Sequence, residues 1–289
     1  MSFEDWASRE VQELSLDLKP RRPAPHQSIF KYIGLNTKTS WAKLERTLND
    51  CELTGSTQTA LNDPFELSPY LFNDLRPATI AKALGKGPSL SDILHGKVWD
   101  PEDIFSDVGK YKAEAEAAFA KVQGGARVVA FCERSDSPLL WSHYAHSYQG
   151  ACLHFIGSAF DQHRVNFGAV TYSSHRPTYP LSLALRLSAA RDKDRYPSDD
   201  LARTESNKLV FFTKAADWAY EREVRIVYDV ARQSAASFKP DGLLSIIVGP
   251  RTSVAHIKRL KDLIKRSRVP HLPLRKAELS TNSFSVEIA

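Results

Sequence analysis

Cysteine is scarce in this chain: Cys51, Cys132 and Cys152 are the only three in 289 residues. They are too few and too scattered for a disulfide framework, and their odd number points to a reducing compartment, the cytoplasm. Long apolar runs are missing as well. LLSIIV at 243–248 has the length of a buried strand, far short of the roughly 20 residues a membrane-spanning helix needs, so no membrane partner is expected. The opening MSFEDWASREVQELSLDL is acidic and polar and lacks the apolar core of a signal peptide. No Walker loop, no G-x-G-x-x-G and no G-x-S-x-G elbow occurs. GKGPS at 85–89 is too short for a phosphate loop and has no strand before it. Kinase, P-loop and Rossmann readings therefore fall away. Cys132, His143, His146, Cys152 and His154 fit no standard zinc-ligand spacing, so no metal is expected.

What is present is an ordinary globular composition. With 42% apolar and 25% charged residues, the chain can bury a real core. Its net charge of +5 is partly local, because HIKRLKDLIKRSRVPHLPLRK at 256–276 holds a single acid, Asp262. Such a segment either attracts phosphates, including those of nucleic acid, or forms a solvated helix face.

Three prolines in KPRRPAPH at 19–26 deny it helix and sheet, which makes residues 1–25 an N-terminal arm and linker. The remainder, 26–289, reads as one α+β domain with a helical insertion near 74–123. Strands are expected at 29–34, 126–132, 150–157, 166–173, 222–230, 243–249 and the closing FSVEI. Helices are expected at 39–50, capped by Thr39 or Ser40, at 138–147, 181–192 and 200–214, and at 252–267, capped by Thr252 or Ser253. The strands of the second half lack a regular βαβ beat. That argues for a mixed or antiparallel central sheet with flanking helices.

Three constellations offer chemistry. In AYEREVRIVYDV, a strand places Glu221, Glu223 and Arg225 on one side, toward solvent or a cleft, while Val224, Ile226 and Tyr228 meet the core. Two carboxylates so placed can share a substrate hydroxyl or face a developing cation, and Arg225 can hold one of them ionised or fork onto a phosphate. The alternative is an ordinary surface ion pair. In WSHYAHSYQG at 141–150, His143 and Tyr144 stand among aromatics that can stack on a ring, or simply cover a core helix. In LNDPFE at 61–66, Asn62, Asp63 and Glu66 lie on a rigid turn that either binds a ligand or caps its own backbone.

FKYIG, LNDPFE, FCERSDSPLLWSHYAHSYQGACLHF, VTYS, FFTKAADWAYEREVRIV and IIVGPRTS occur in that order. Together they resemble the bacterial family catalogued as domain of unknown function 2971, across about residues 29–255. More distantly, Glu221-Arg222-Glu223 is similar to the E-x-E tripeptide of ADP-ribosyltransferases. The early strand here departs from their usual arginine by offering Lys31-Tyr32, and no S-T-S follows.

That second resemblance implies an ADP-ribosyltransferase-like fold and an enzyme that cleaves or transfers from NAD without a metal. Glu223 would be the catalytic carboxylate, with Glu221 as its partner. His143 and Tyr144 would join them, and Tyr32, Lys31, Asn62, Asp63, Lys214 and Arg225 would hold the dinucleotide. The acceptor would be a nucleic acid or a protein, and the biological setting a bacterial toxin or a phage-defence effector. The competing readings are a nucleic-acid binder or nucleic-acid-processing enzyme built on 256–276, and a non-catalytic interaction module.

Overall fold

A computed structural model describes residues 21–87, 91, 94–95, 100–160, 166–189 and 209–288. Most of the expected N-terminal arm, and residues 200–208 of one expected helix, lie outside that range. Contacts divide the chain into two compact units. One is built from Leu61–Gly125 and Ser173–Ala215, the other from 21–60, Ala126–Tyr172 and 216–288.

The second unit is organised around an eight-stranded sheet. Its elements are β1 (Ser28–Ile33), α1 (Lys38–Asp50), β2 (Glu52–Leu53), β3 (Ala126–Cys132), α2 (Pro138–Tyr144), β4 (Ala151–Ile156), β5 (Asn166–Ala169), β6 (Glu223–Asp229), β7 (Ala236–Ser237), β8 (Leu243–Val248), α3 (Val254–Arg266), β9 (Leu274–Leu279) and β10 (Val286–Ile288). The strand order is β10-β9-β8-β4-β1-β3-β6-β5. Every pair is antiparallel except β8 with β9. The class is α+β, as the missing βαβ beat predicts.

Period-two alternation gives the sheet two different faces. Ile29, Val129, Phe131, Leu153, Phe155, Val224, Ile226, Tyr228 and Ile246 point to one side and form the main core. There they meet Trp41, Leu44 and Leu48 of α1 and Leu260, Leu263 and Ile264 of α3. Both helices start where a hydroxyl takes an orphan amide: Thr37 accepts from the Ser40 N–H, and Ser253 accepts from the His256 N–H. Thr37 thus replaces the Thr39 or Ser40 expected from sequence, because the apolar period already begins at Trp41. The other face carries a smaller apolar cluster of Trp141, Ala145, Cys152, Ile247, Ala277 and Val286. Backbone segments approach closely at Gly150 and Gly249. A Cβ at either would fall about 2 Å from a carbonyl oxygen, 2.2 Å from Ile33 O and 2.1 Å from Tyr148 O respectively.

The first unit is mostly helical, with Pro77–Ala83, Pro101–Ile104, Val108–Gly125 and Leu181–Ala189, and it contains the expected insertion. Val108–Gly125 packs on Leu181–Ala189, and Tyr70–Phe72 pairs in parallel with Thr178–Pro180. Two segments depart from expectation. NFGAVTYS is broken at Val170 into Asn166–Ala169 and Thr171–Ser173, and Lys214 lies in a short strand, Thr213–Ala215, rather than in a helix. All three cysteines are free and buried, so no disulfide staples these elements. Among the described residues no helix is long and apolar enough to cross a membrane.

Candidate functional site

Strand β6 builds the site. Its alternation sends Val224, Ile226 and Tyr228 into the core and Glu223 and Arg225 to the opposite face. That face is not open to solvent, as expected for a surface strand. Arg225 is 0% exposed and Glu223 4%. The guanidinium forks onto the carboxylate, with Nε–H to Oε1 and an Nη2–H to Oε2 both at 2.7 Å. Directly across from Arg225 the neighbouring strands supply Ala130 and Gly168, small residues that leave room for a guanidinium. A buried charge is tolerated only when it is paired and hydrogen-bonded, and this geometry meets that condition.

Glu221 is placed differently from the sequence expectation. It belongs to the 3-10 segment Ala216–Glu221 rather than to the strand. Arg222 then takes φ 44°, a left-handed turn that lets the chain enter β6. The Glu221 carboxylate is also buried, 4% exposed, and accepts a short hydrogen bond from the Tyr144 hydroxyl at the end of α2. The Glu223 amide donates to the Tyr172 hydroxyl at 2.8 Å. Cys132 lies opposite Glu223 in the register. Burial pushes its thiol up to about 12, with backbone hydrogen bonding at Arg134 opposing the shift and the negative fields of Glu221 and Glu223 adding to it. Cys132 is therefore a neutral thiol beside two carboxylates.

Tyr32 shares this face but is separated from β6 by strand β3. Its ring meets Trp141 edge-on at 5.1 Å, and its hydroxyl donates to the Arg134 carbonyl at 3.2 Å. Burial drives its pKa far above the ordinary phenol value. Lys31, one residue earlier, necessarily points to the other face. There its ammonium lies 5.9 Å from the centre of the Phe131 ring and donates to the Ala130 carbonyl at 3.2 Å. Burial lowers its pKa to about 8, Lys43 lowers it further, and Glu223 opposes. Lys31 and Tyr32 thus cannot hold one ligand from the same side. His143 is exposed, with its ring 6.3 Å from that of Tyr144.

Asn62, Asp63 and Lys214 belong to the other unit. Asn62 is exposed. Asp63 is buried and accepts from the Phe65 amide at 2.9 Å, so it caps its own turn. Lys214 is buried against Glu66, with Nζ 2.9 Å from Oε1. Glu66, the acid of the LNDPFE turn, is thus the partner of Lys214. Of the ten expected site residues, Arg225 pairs with Glu223 and the half-buried Tyr144 with Glu221, and both carboxylates act on Cys132. Tyr32 and His143 lie nearby in the same unit, and Lys31 is on the reverse face. Cys132 and Tyr172 were missed because cross-strand register, not local spacing, brings them in. Among the described residues, no group of three or more acids, histidines and cysteines is arranged to hold a metal ion.

Comparison with family models finds one match, to residues 140–226. The matched family is described as a protein of unknown function, DUF2971. The resemblance drawn from the sequence motifs therefore holds over this segment, which contains Tyr144, Tyr172, Glu221, Glu223 and Arg225. No curated protein and no solved structure matches the chain. The matched segment runs from the first turn of α2 into the middle of β6, so it spans both sides of the Tyr144–Glu221 contact.

Proposed function

We propose that this chain is an enzyme that cleaves the nicotinamide–ribose bond of NAD and passes ADP-ribose to water or to a macromolecular acceptor. The single observation that supports the reading is the convergence of two carboxylates, a guanidinium and a phenol at one end of β6. The bond breaks with its electron pair moving onto the nicotinamide ring nitrogen, which leaves the ribose carbon as an oxocarbenium-like cation. A carboxylate that accepts a hydrogen bond from a ribose hydroxyl and faces that cation lowers the barrier. With water as acceptor, one proton is released as ADP-ribose forms.

Glu221 suits the catalytic role better than Glu223, reversing the order suggested by the tripeptide alone. Glu223 is held by the fork from Arg225 on a strand fixed by two neighbours. Glu221 rides on an irregular segment behind the left-handed Arg222, so its position can change on substrate entry without breaking the sheet. Tyr144 orients its carboxylate. The buried pair of Glu223 and Arg225 fixes the strand end from which Glu221 projects.

The test is nicotinamide release from NAD by wild type, Glu221→Gln and Glu223→Gln, with a thermal melt of each protein. Glu221→Gln is expected to abolish release while melting close to wild type, since the amide still accepts from Tyr144. Unchanged release in that variant, or no release by wild type even with cell extract as acceptor, overturns the proposal.

A further inference from the structure

We propose that the outer surface of the α1 and α3 layer binds the phosphate backbone of a nucleic acid. The argument is independent of the NAD reading, because this layer covers the core face of the sheet and Glu223 and Arg225 point to the other.

The two helices lie side by side in the same direction. Near their starts Trp41 meets His256, and near their ends the carbonyl of Leu48, in the last turn of α1, accepts from the amide of Arg268, just past α3. Trp41, Leu44, Leu48, Leu260, Leu263 and Ile264 are spent on the core, which leaves the outer face for a partner. Residues 38–50 and 254–268 carry nine cations against three acids there, a net of +6, and all twelve side chains are exposed. The whole chain carries +5, so this layer accounts for the entire excess and the rest of the protein nets −1. The basic character noted at 256–276 is thus doubled up by a second helix that is distant in sequence.

Most of these cations are not consumed internally. Arg46 pairs with Glu52, but Lys38, Lys43, Lys258, Lys261 and Lys265 make no ion pair among the described residues. Lys258, Lys261 and Lys265 recur at helical spacing and form a stripe roughly 10 Å long. Arg259 is already ordered, with its guanidinium 4.1 Å from the centre of the Trp41 ring. Unpaired cations with little self-repulsion relief elsewhere favour a polyanion. A lipid surface fits less well. The apolar stripe of α3 is buried in the core and Trp41 is 4% exposed, which leaves Val254 as the one large apolar side chain exposed on the two helices, too little for insertion.

The experiment is binding of a labelled oligonucleotide of arbitrary sequence, single-stranded and duplex, at salt from about 50 to 200 mM. Contact with roughly 5 phosphates predicts a loss of affinity of roughly 500-fold over that range. The triple variant Lys258→Glu, Lys261→Glu, Lys265→Glu is expected to lose binding. A charge-matched control, Arg22→Glu, Arg232→Glu, Lys239→Glu, reverses three exposed cations of the same unit outside the layer and is expected to retain most of it. Equal losses in both variants, salt-independent binding, or binding only to anionic vesicles overturns the proposal.

Discussion

The two faces of the eight-stranded sheet differ in where they put charge. On the α1 and α3 side the sheet contributes almost only apolar side chains, and the charges lie on the far side of the helices, in water. On the other side, β6 turns a glutamate and an arginine inward, and Glu221 and Tyr144 close over the strand end. Apart from Lys31, the first arrangement spends no desolvation energy on charge. The second spends a large amount and recovers it only through short, well-aligned hydrogen bonds. A fold that needs a core alone gains nothing from the second arrangement, which is why that face is the better place to look for chemistry.

The largest effect should come from breaking that buried pair. Glu223→Ala leaves Arg225 without its fork and is expected to lower stability by about 3–5 kcal/mol in a denaturant melt. Replacing both, Glu223→Leu with Arg225→Met, should recover much of that loss but none of the nicotinamide release. If the double variant is as unstable as the single one, the ion pair is not what strains this face. Tyr144→Phe comes next. It removes one hydrogen bond to a carboxylate and should cost about 1.5–3 kcal/mol, with NAD turnover falling further than stability alone explains.

Lys31 sharpens the contrast from the apolar side. Its folded pKa, about 8, lies below its unfolded value, so between pH 8 and about 10.5 the unfolded chain binds more protons. Stability should therefore rise with pH through that window, and the cost of the buried charge is fully present below pH 8. Lys31→Met should stabilise the protein by about 1–2 kcal/mol at neutral pH, an advantage that disappears as pH approaches 10.5. A constant difference at all pH values would show that Lys31 pays no charge penalty. The smallest effect belongs to the α3 lysines, whose triple reversal should move stability by no more than about 0.5 kcal/mol while changing oligonucleotide affinity.

Local pattern made much of this legible. The alternation in REVRIVYDV located β6 and assigned Val224, Ile226 and Tyr228 to the core, and the hydroxyls of Thr252 and Ser253 marked the start of α3, where Ser253 is the cap. A strand period and a helix period are properties of a few consecutive residues, so no partner is needed to read them. The same period also implied that Glu223 and Arg225 share a face. It was silent on whether that face meets water, since burial depends on what folds over it.

Tertiary structure alone decided the rest. It buried Glu223, Arg225 and Glu221, brought Tyr144 to Glu221 across 77 residues, set Cys132 opposite Glu223, and placed Lys31 behind the sheet from Tyr32. It also put Lys214 against Glu66 in a different unit from the tripeptide it precedes in sequence. These are long-range pairings. Strand register and helix docking are set by the summed burial of the whole core, and no short window of sequence carries that sum.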